Sequence, residues 1–176
     1  MLGSIRTYFF EKEKKKRTPS GIPVNTGFQL NRKNHFGLLI DAADIDNRSV
    51  VSNFAEELRR NGNRVKILGF IDGKMEGMGL SFDVITSADL TRVAKIPKSL
   101  VAESFMEQPF DILINLSIHQ NHKALEYIAS VSKASFKVGS WYQQLGEHPY
   151  DLCVDAGTAS LKEWIEELMT TLQKIY

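Results

Sequence analysis

Between Phe110 and Gly139 the chain reads FDILINLSIHQNHKALEYIASVSKASFKVG, and this stretch restricts the fold more than any other. An apolar run of strand length is followed by a polar loop, a helical stripe (Leu125, Ile128, Ala129, Ser132) and a second apolar run, which together spell a βαβ unit. The same alternation opens the body of the chain. His35–Asp41 reads as a strand, and Val50, Val51, Phe54 and Leu58 form a helical stripe with Asp46 or Asn47 as N-cap and Asn61-Gly62 as the stop. Arg64–Ile71 reads as the next strand, a parallel neighbour of the first reached by a right-handed crossover.

Further along, residues 72–80 read as a glycine-bearing loop, Phe82–Ile85 as a short strand and Ser87–Leu90 as a turn, while 91–97 carry no pattern. Pro97 suits the first turn of a helix reaching about Gln108, with Leu100, Val101 and Phe105 inward. After the βαβ unit, with its helix at 121–133 and its last strand at Phe136–Val138, Tyr150–Asp155 reads as the final strand. A helix over 159–175 follows, with Leu161, Trp164, Ile165, Leu168, Leu172 and Ile175 in one stripe and Ser160 with Glu163 as a capping box. Strands and helices in alternation predict a three-layer, Rossmann-like α/β sandwich on a mainly parallel sheet.

The chain's near-neutral total, +1 over 176 residues, hides a division. Residues 1–33 carry eight basic and two acidic side chains, whereas residues 34–176 carry fourteen and nineteen. The expected organisation is a basic helical arm and linker at 1–33 and one α/β domain at 34–176. In the arm, Leu2, Ile5 and Phe9 share a helical face, cations from Lys12 to Arg17 suit the C-terminal end of the dipole, and 18–34 reads as a linker. Such an arm can dock on the body, on a second subunit of a homo-oligomer, or weakly on an anionic membrane surface. The acidic body argues against nucleic acid as a partner. The lone Cys153 excludes a disulfide framework and reads as a small buried hydrophobe. No apolar run nears the roughly 20 residues of a membrane span. With no basic flank leading into an apolar leader, a cytoplasmic setting is the expectation.

In a parallel sheet, ligands bind beyond the carboxyl ends of the strands, where crossover directions diverge. Asp41, Asp44 and Asp46 after the first strand, Asn115, Ser117, His119 and His122 after the central one, Gly139 to Tyr142 after the next and Asp155 after the last are therefore the candidate residues. His119 and His122 stand three apart and could share a helix face toward Zn²⁺, but neither His35 nor His148 has the spacing of a third ligand. The pair reads as two polar loop residues with His122 starting the helix, and no metal or other cofactor is expected. Asp44 and Asp46 suit a helix N-terminus. Trp141-Tyr142 reads as cover for a core edge. Neither a GxGxxG nor a GxxxxGK[ST] motif is present, and Gly73, Gly77 and Gly79 lack a strand-to-helix junction.

Three resemblances bear on these residues. LLIDAADIDNRSVVSNFAEELRRNGNRV resembles the opening of a response-regulator receiver domain, whose acidic turn holds Mg²⁺. The chain departs from it by ending the Phe110 strand in Asn115, where a phosphoacceptor aspartate belongs, and by lacking the later lysine. FDILINLS, the helix and KASFKVGS resemble the end of the acceptor-side domain of heptosyltransferase-like glycosyltransferases, with strands of "YDLVIDLQ" and "AKxRIG" type. The glycine-rich turn and the second, sugar-nucleotide domain are absent, so this likeness implies architecture and no catalytic role. Over its full length the chain resembles a family of small bacterial proteins of unknown function with a basic N-terminal helix, an acidic turn after the first strand, an FDxLI strand and a KAxFKVG strand. That resemblance implies a Rossmann-like single domain and no activity.

With no activated nucleophile, acid/base pair or nucleotide loop in the sequence, the expected function is a non-catalytic module. It binds a ligand or a protein through Asp41, Asp44, Asn115, Ser117 and His119. The alternative is a small enzyme acting on a phosphorylated or sugar-like substrate at the same edge, with His119 as general acid/base and Asp41 or Asp44 orienting the substrate or a metal.

Overall fold

The structure, a computed structural model, describes residues 2–19, 30, 32–73, 79–119, 122–141 and 148–175, with side chains from Ile5 onward. Its strands are β1 (His35–Asp41), β2 (Arg64–Ile71), β3 (Asp83–Thr86), β4 (Ile112–Asn115), β5 (Phe136–Ser140) and β6 (Leu152–Val154). All pair in parallel in one sheet of order β3-β2-β1-β4-β5-β6, with Leu38 of β1 flanked by Ile67 of β2 and Ile114 of β4.

Period-two alternation along the central strands divides the core between two faces. Phe36, Leu38 and Ile40 of β1 and Ile112 and Ile114 of β4 pack in the layer of α2 (Ile45–Arg60) and α5 (Leu161–Ile175). Leu39 and Leu113 pack in the opposite layer, with α1 (Leu2–Arg17), α3 (Leu100–Met106) and α4 (Lys123–Val131). This is the three-layer Rossmann-like sandwich expected from the sequence. Among the described residues no helix is long and apolar enough to cross a membrane.

Several local expectations shift. Asp44, not Asp46 or Asn47, caps α2, because its Oδ1 accepts the N–H groups of both those residues at 2.9 and 3.2 Å. Ser99 caps α3, while Pro97 forms a bridge with Leu90 instead of entering the helix. The inward face of α3 therefore moves to Ala102, Phe105 and Met106, leaving Leu100 89% exposed. The unpatterned 91–97 segment is a turn pinned by Thr91. Its N–H donates to Ile96 O at 2.9 Å, its Oγ1 accepts the Ile96 N–H at 3.1 Å, and Lys95 takes a left-handed φ of 54°. The capping box of Ser160 and Glu163 forms as expected, and Ile175 ends α5 exposed.

The arm helix packs on the body. Phe10, 4% exposed, packs against the Tyr127 ring of α4, whereas Ile5 and Phe9 are exposed. The inward face is thus one residue away from the expected one; Leu2 lies outside the described side chains. Lys14 pairs with Glu126 at 3.3 Å, and Arg17 holds Glu103 of α3 through both guanidinium nitrogens, the longer bond at 2.9 Å. Most of the linker expected at 18–34 and of the 72–80 loop, Gly77 included, lies outside the described residues.

Candidate functional site

From β1 the chain works outward through β2 to β3 and then returns to β4 on the other side of β1. Crossover directions diverge between β1 and β4, and the carboxyl ends of strands at such a point, the crevice of a parallel sheet, are where ligands bind. Asp41 closes β1 on one bank of the crevice. Asn115 closes β4 on the other, and the chain from Leu116 to His122 leads from it to the N-terminus of α4.

The two banks are joined by side chains. His122 Nε2 lies 2.9 Å from Asp41 Oδ2, and Asp41 Oδ1 accepts the Ala43 N–H at 3.0 Å. The backbone N–H of Asp41 donates to Ser117 Oγ at 3.0 Å. Asn115 Oδ1 accepts the Ser117 N–H at 3.1 Å, and Asn115 Nδ2 donates to the Tyr150 hydroxyl at 2.6 Å. The Phe70 ring, with its centroid 5.5 Å from that of His122, backs the imidazole on the β2 side. A carboxylate facing one ring nitrogen fixes the proton there and sets the ring's orientation.

A glycine makes the Tyr150 contact possible. A Cβ on Gly139 would stand 2.6 Å from the Tyr150 ring, so only glycine lets the ring lie on β5 with its hydroxyl beside Asn115. The tyrosine hydroxyl in turn accepts from the buried amide nitrogen of Asn115, whose oxygen is already taken by the Ser117 N–H.

Of the residues expected from the sequence, Asp41, Asn115 and Ser117 come together in this network. Asp44 sits apart, its carboxylate taken up by the N-terminus of α2 and by Asn47 Nδ2 at 3.2 Å. His119 is exposed, with no hydrogen bond among the described residues. The histidine that engages the network is His122, at the start of α4. Its ring meets Asp41, and it makes no side-chain cap bond to α4, in contrast to the Asp44 carboxylate that caps α2. Tyr150 and Arg48, whose Nε donates to Ala42 O at 2.6 Å across the β1–α2 turn, were not singled out by the sequence. Asp41 and His122 offer two ligands to a metal; no group of three or more His, Cys, Asp or Glu side chains converges among the described residues.

Two other ionisable groups differ from their sequence reading or escape it. Cys153 is partly exposed, with its Sγ 3.6 Å from His148 Nδ1, and burial pushes its thiol upward, away from the thiolate form. Trp141 is exposed and meets His148 edge-on, so it does not seal the core; Tyr142 lies outside the described residues. Lys137 of β5 is buried under α4, where its Nζ donates to Ser130 O at 3.2 Å. Burial drives its pKa down to about 8, against the opposing pull of Asp151.

A family model described as a family of unknown function (DUF6913) matches residues 5–175, and the chain belongs to that family. No curated protein matches it.

Proposed function

We propose that this member of the family is a non-catalytic binding module whose ligand or protein partner docks in the crevice between β1 and β4. The observation that carries this reading is the Asp41–His122 contact across the point where the sheet's connections diverge. Backbone N–H groups of Asp41 and Ser117 donate to Ser117 Oγ and Asn115 Oδ1, so these side chains support the backbone at the strand ends. The uncapped N-terminus of α4 favours a ligand that brings a hydrogen-bond acceptor, such as a phosphorylated or sugar-like group. Exposed His119, four residues beyond the end of β4, is the further side chain offered to what binds. A cytoplasmic setting is part of the same proposal and is supported by the single free cysteine.

Thermal-shift titration with inorganic phosphate, glucose 6-phosphate and ribose 5-phosphate tests the reading. A saturable rise in Tm is expected from at least one of them, reduced in His119→Ala and abolished in Asp41→Ala. Shifts that survive alanine at Asp41, Asn115 and His119 together place binding elsewhere.

The Asp41–His122 pair also favours a second reading, a small enzyme in which the oriented imidazole of His122 moves a proton on the same kind of substrate. Conversion of glucose 6-phosphate or ribose 5-phosphate followed by phosphorus NMR, lost in His122→Gln, would select it over the binding module.

A further inference from the structure

A second cleft, of about 610 Å³, lies away from the sheet edge, between α1, α4 and the pinned 91–98 segment. Its size is that of a site for a small organic molecule. Phe9, Val93 and Ile96 supply apolar wall, and the hydrogen bonds of Thr91 hold the 91–96 side in shape.

At the floor stands Tyr127, a fully buried side chain whose hydroxyl has no hydrogen-bond partner among the described residues. Burial raises its pKa, so the phenol keeps its proton. Arg17 stands close enough to act on it both as a charge and as a hydrogen-bond donor. A guanidinium only donates, however, so it cannot take the phenol's proton, and this one is held by Glu103. The proton of Tyr127 is therefore a buried donor with no acceptor, a state that native proteins rarely leave unanswered. Arg92 and Lys98 line the same cleft without an ion pair among the described residues. Of the two lining carboxylates, Glu103 is taken by Arg17 and Glu13 offsets one of the two free cations, so one positive charge is in excess.

We infer that this cleft binds a small monoanionic amphiphile, an alkyl or aryl carboxylate. Its apolar body lies against Phe9, Val93 and Ile96, its charge is met by Arg92 and Lys98, and a carboxylate oxygen accepts from Tyr127. The hydroxyl is shielded from water, so its engagement requires a small outward movement of Arg17, whose side chain is 30% exposed. One surplus cation selects a monoanion over a dianion, and the apolar wall selects against a bare ion.

Calorimetric titration of the full chain with octanoate, with octanamide as the uncharged match, tests this. Saturable one-to-one binding of octanoate is expected, weaker by about tenfold or more for octanamide and for the R92A/K98A double variant. Tyr127→Phe keeps the ring but removes the donor. It should raise the Tm of the unliganded protein while weakening octanoate several-fold. Absence of saturable octanoate binding, equal affinity for octanamide, or unchanged affinity in either variant overturns the inference.

Discussion

The imidazole of His122 stands 2.9 Å from the carboxylate of Asp41, linking the start of α4 to the end of β1 where the sheet's connections diverge. The residues are 81 apart in the chain. With the bond from the Asp41 N–H to Ser117 Oγ, their contact ties β1 to the β4–α4 connection by side chains as well as by the backbone ladder.

Both side chains are mostly buried, so removing one partner leaves the other short of a hydrogen bond. His122→Ala is expected to cost about 1–3 kcal/mol. The double-mutant cycle with Asp41→Ala should show a coupling of about 1 kcal/mol, measured by urea unfolding. Strictly additive single effects would mean that the contact contributes nothing to stability.

Gly139 and Tyr150 provide a second structural prediction. Gly139→Ala puts a methyl group 2.6 Å from the Tyr150 ring and should cost about 1–3 kcal/mol, because the ring must leave β5 and release Asn115. Tyr150→Phe keeps the ring in place and removes only the hydroxyl, so a smaller loss of about 1 kcal/mol is expected. Chemical denaturation of the two variants distinguishes these costs.

How far these relations were legible in the sequence depends on their range. The strands, their parallel sense and the helical stripes of α2, α4 and α5 are local patterns, and they form much as read. Where local signals compete, the reading shifts: two serviceable caps, Asp44 and Asp46, stood within three residues, and Pro97 was a plausible helix start until Ser99 offered a capping hydroxyl. The candidate site was legible as a location, since Asp41 and Asn115 end strands and Ser117 follows one. That β1 and β4 are neighbours was not, because residues 72–97 left the order of the middle strands open. Which histidine engages it was not legible. His119 and His122 are equivalent by composition, and only the start of α4, meeting β1 from far along the chain, separates them. Tyr127 and Lys137 were hidden for the same reason, because burial by α1 and α4 is a tertiary fact.

Lys137 predicts an alkaline rise in stability. The unfolded lysine holds its proton up to about pH 10.5, whereas the folded one releases it near 8. Between those values the unfolded chain binds the extra proton, so stability increases with pH. Below about 8 both states are charged and the burial cost is present in full. Lys137→Met should be more stable than the parent at pH 7 by on the order of 1–3 kcal/mol, with the difference narrowing toward pH 10. Urea unfolding of both proteins across pH 7 to 10 checks this; a constant difference would contradict it.

Docking of the arm rests on Phe10. Phe10→Ala should cost about 3–5 kcal/mol and open α1 itself to protease, whereas Ile5→Ser, at an exposed position, should stay within about 0.5 kcal/mol of the parent. Limited trypsin digestion with urea unfolding measures both. Equal effects would mean that α1 does not pack through Phe10.

The central claim is that the crevice between β1 and β4 is the binding surface. Its most direct test is a fragment-library titration of isotopically labelled protein, read residue by residue through backbone amide NMR shifts. The account predicts hits that cluster on Asp41 to Asp46, Leu116 to His119 and the first turn of α4, and that disappear in His122→Ala. A library that leaves those amides unmoved, or hits there that persist without His122, would contradict it.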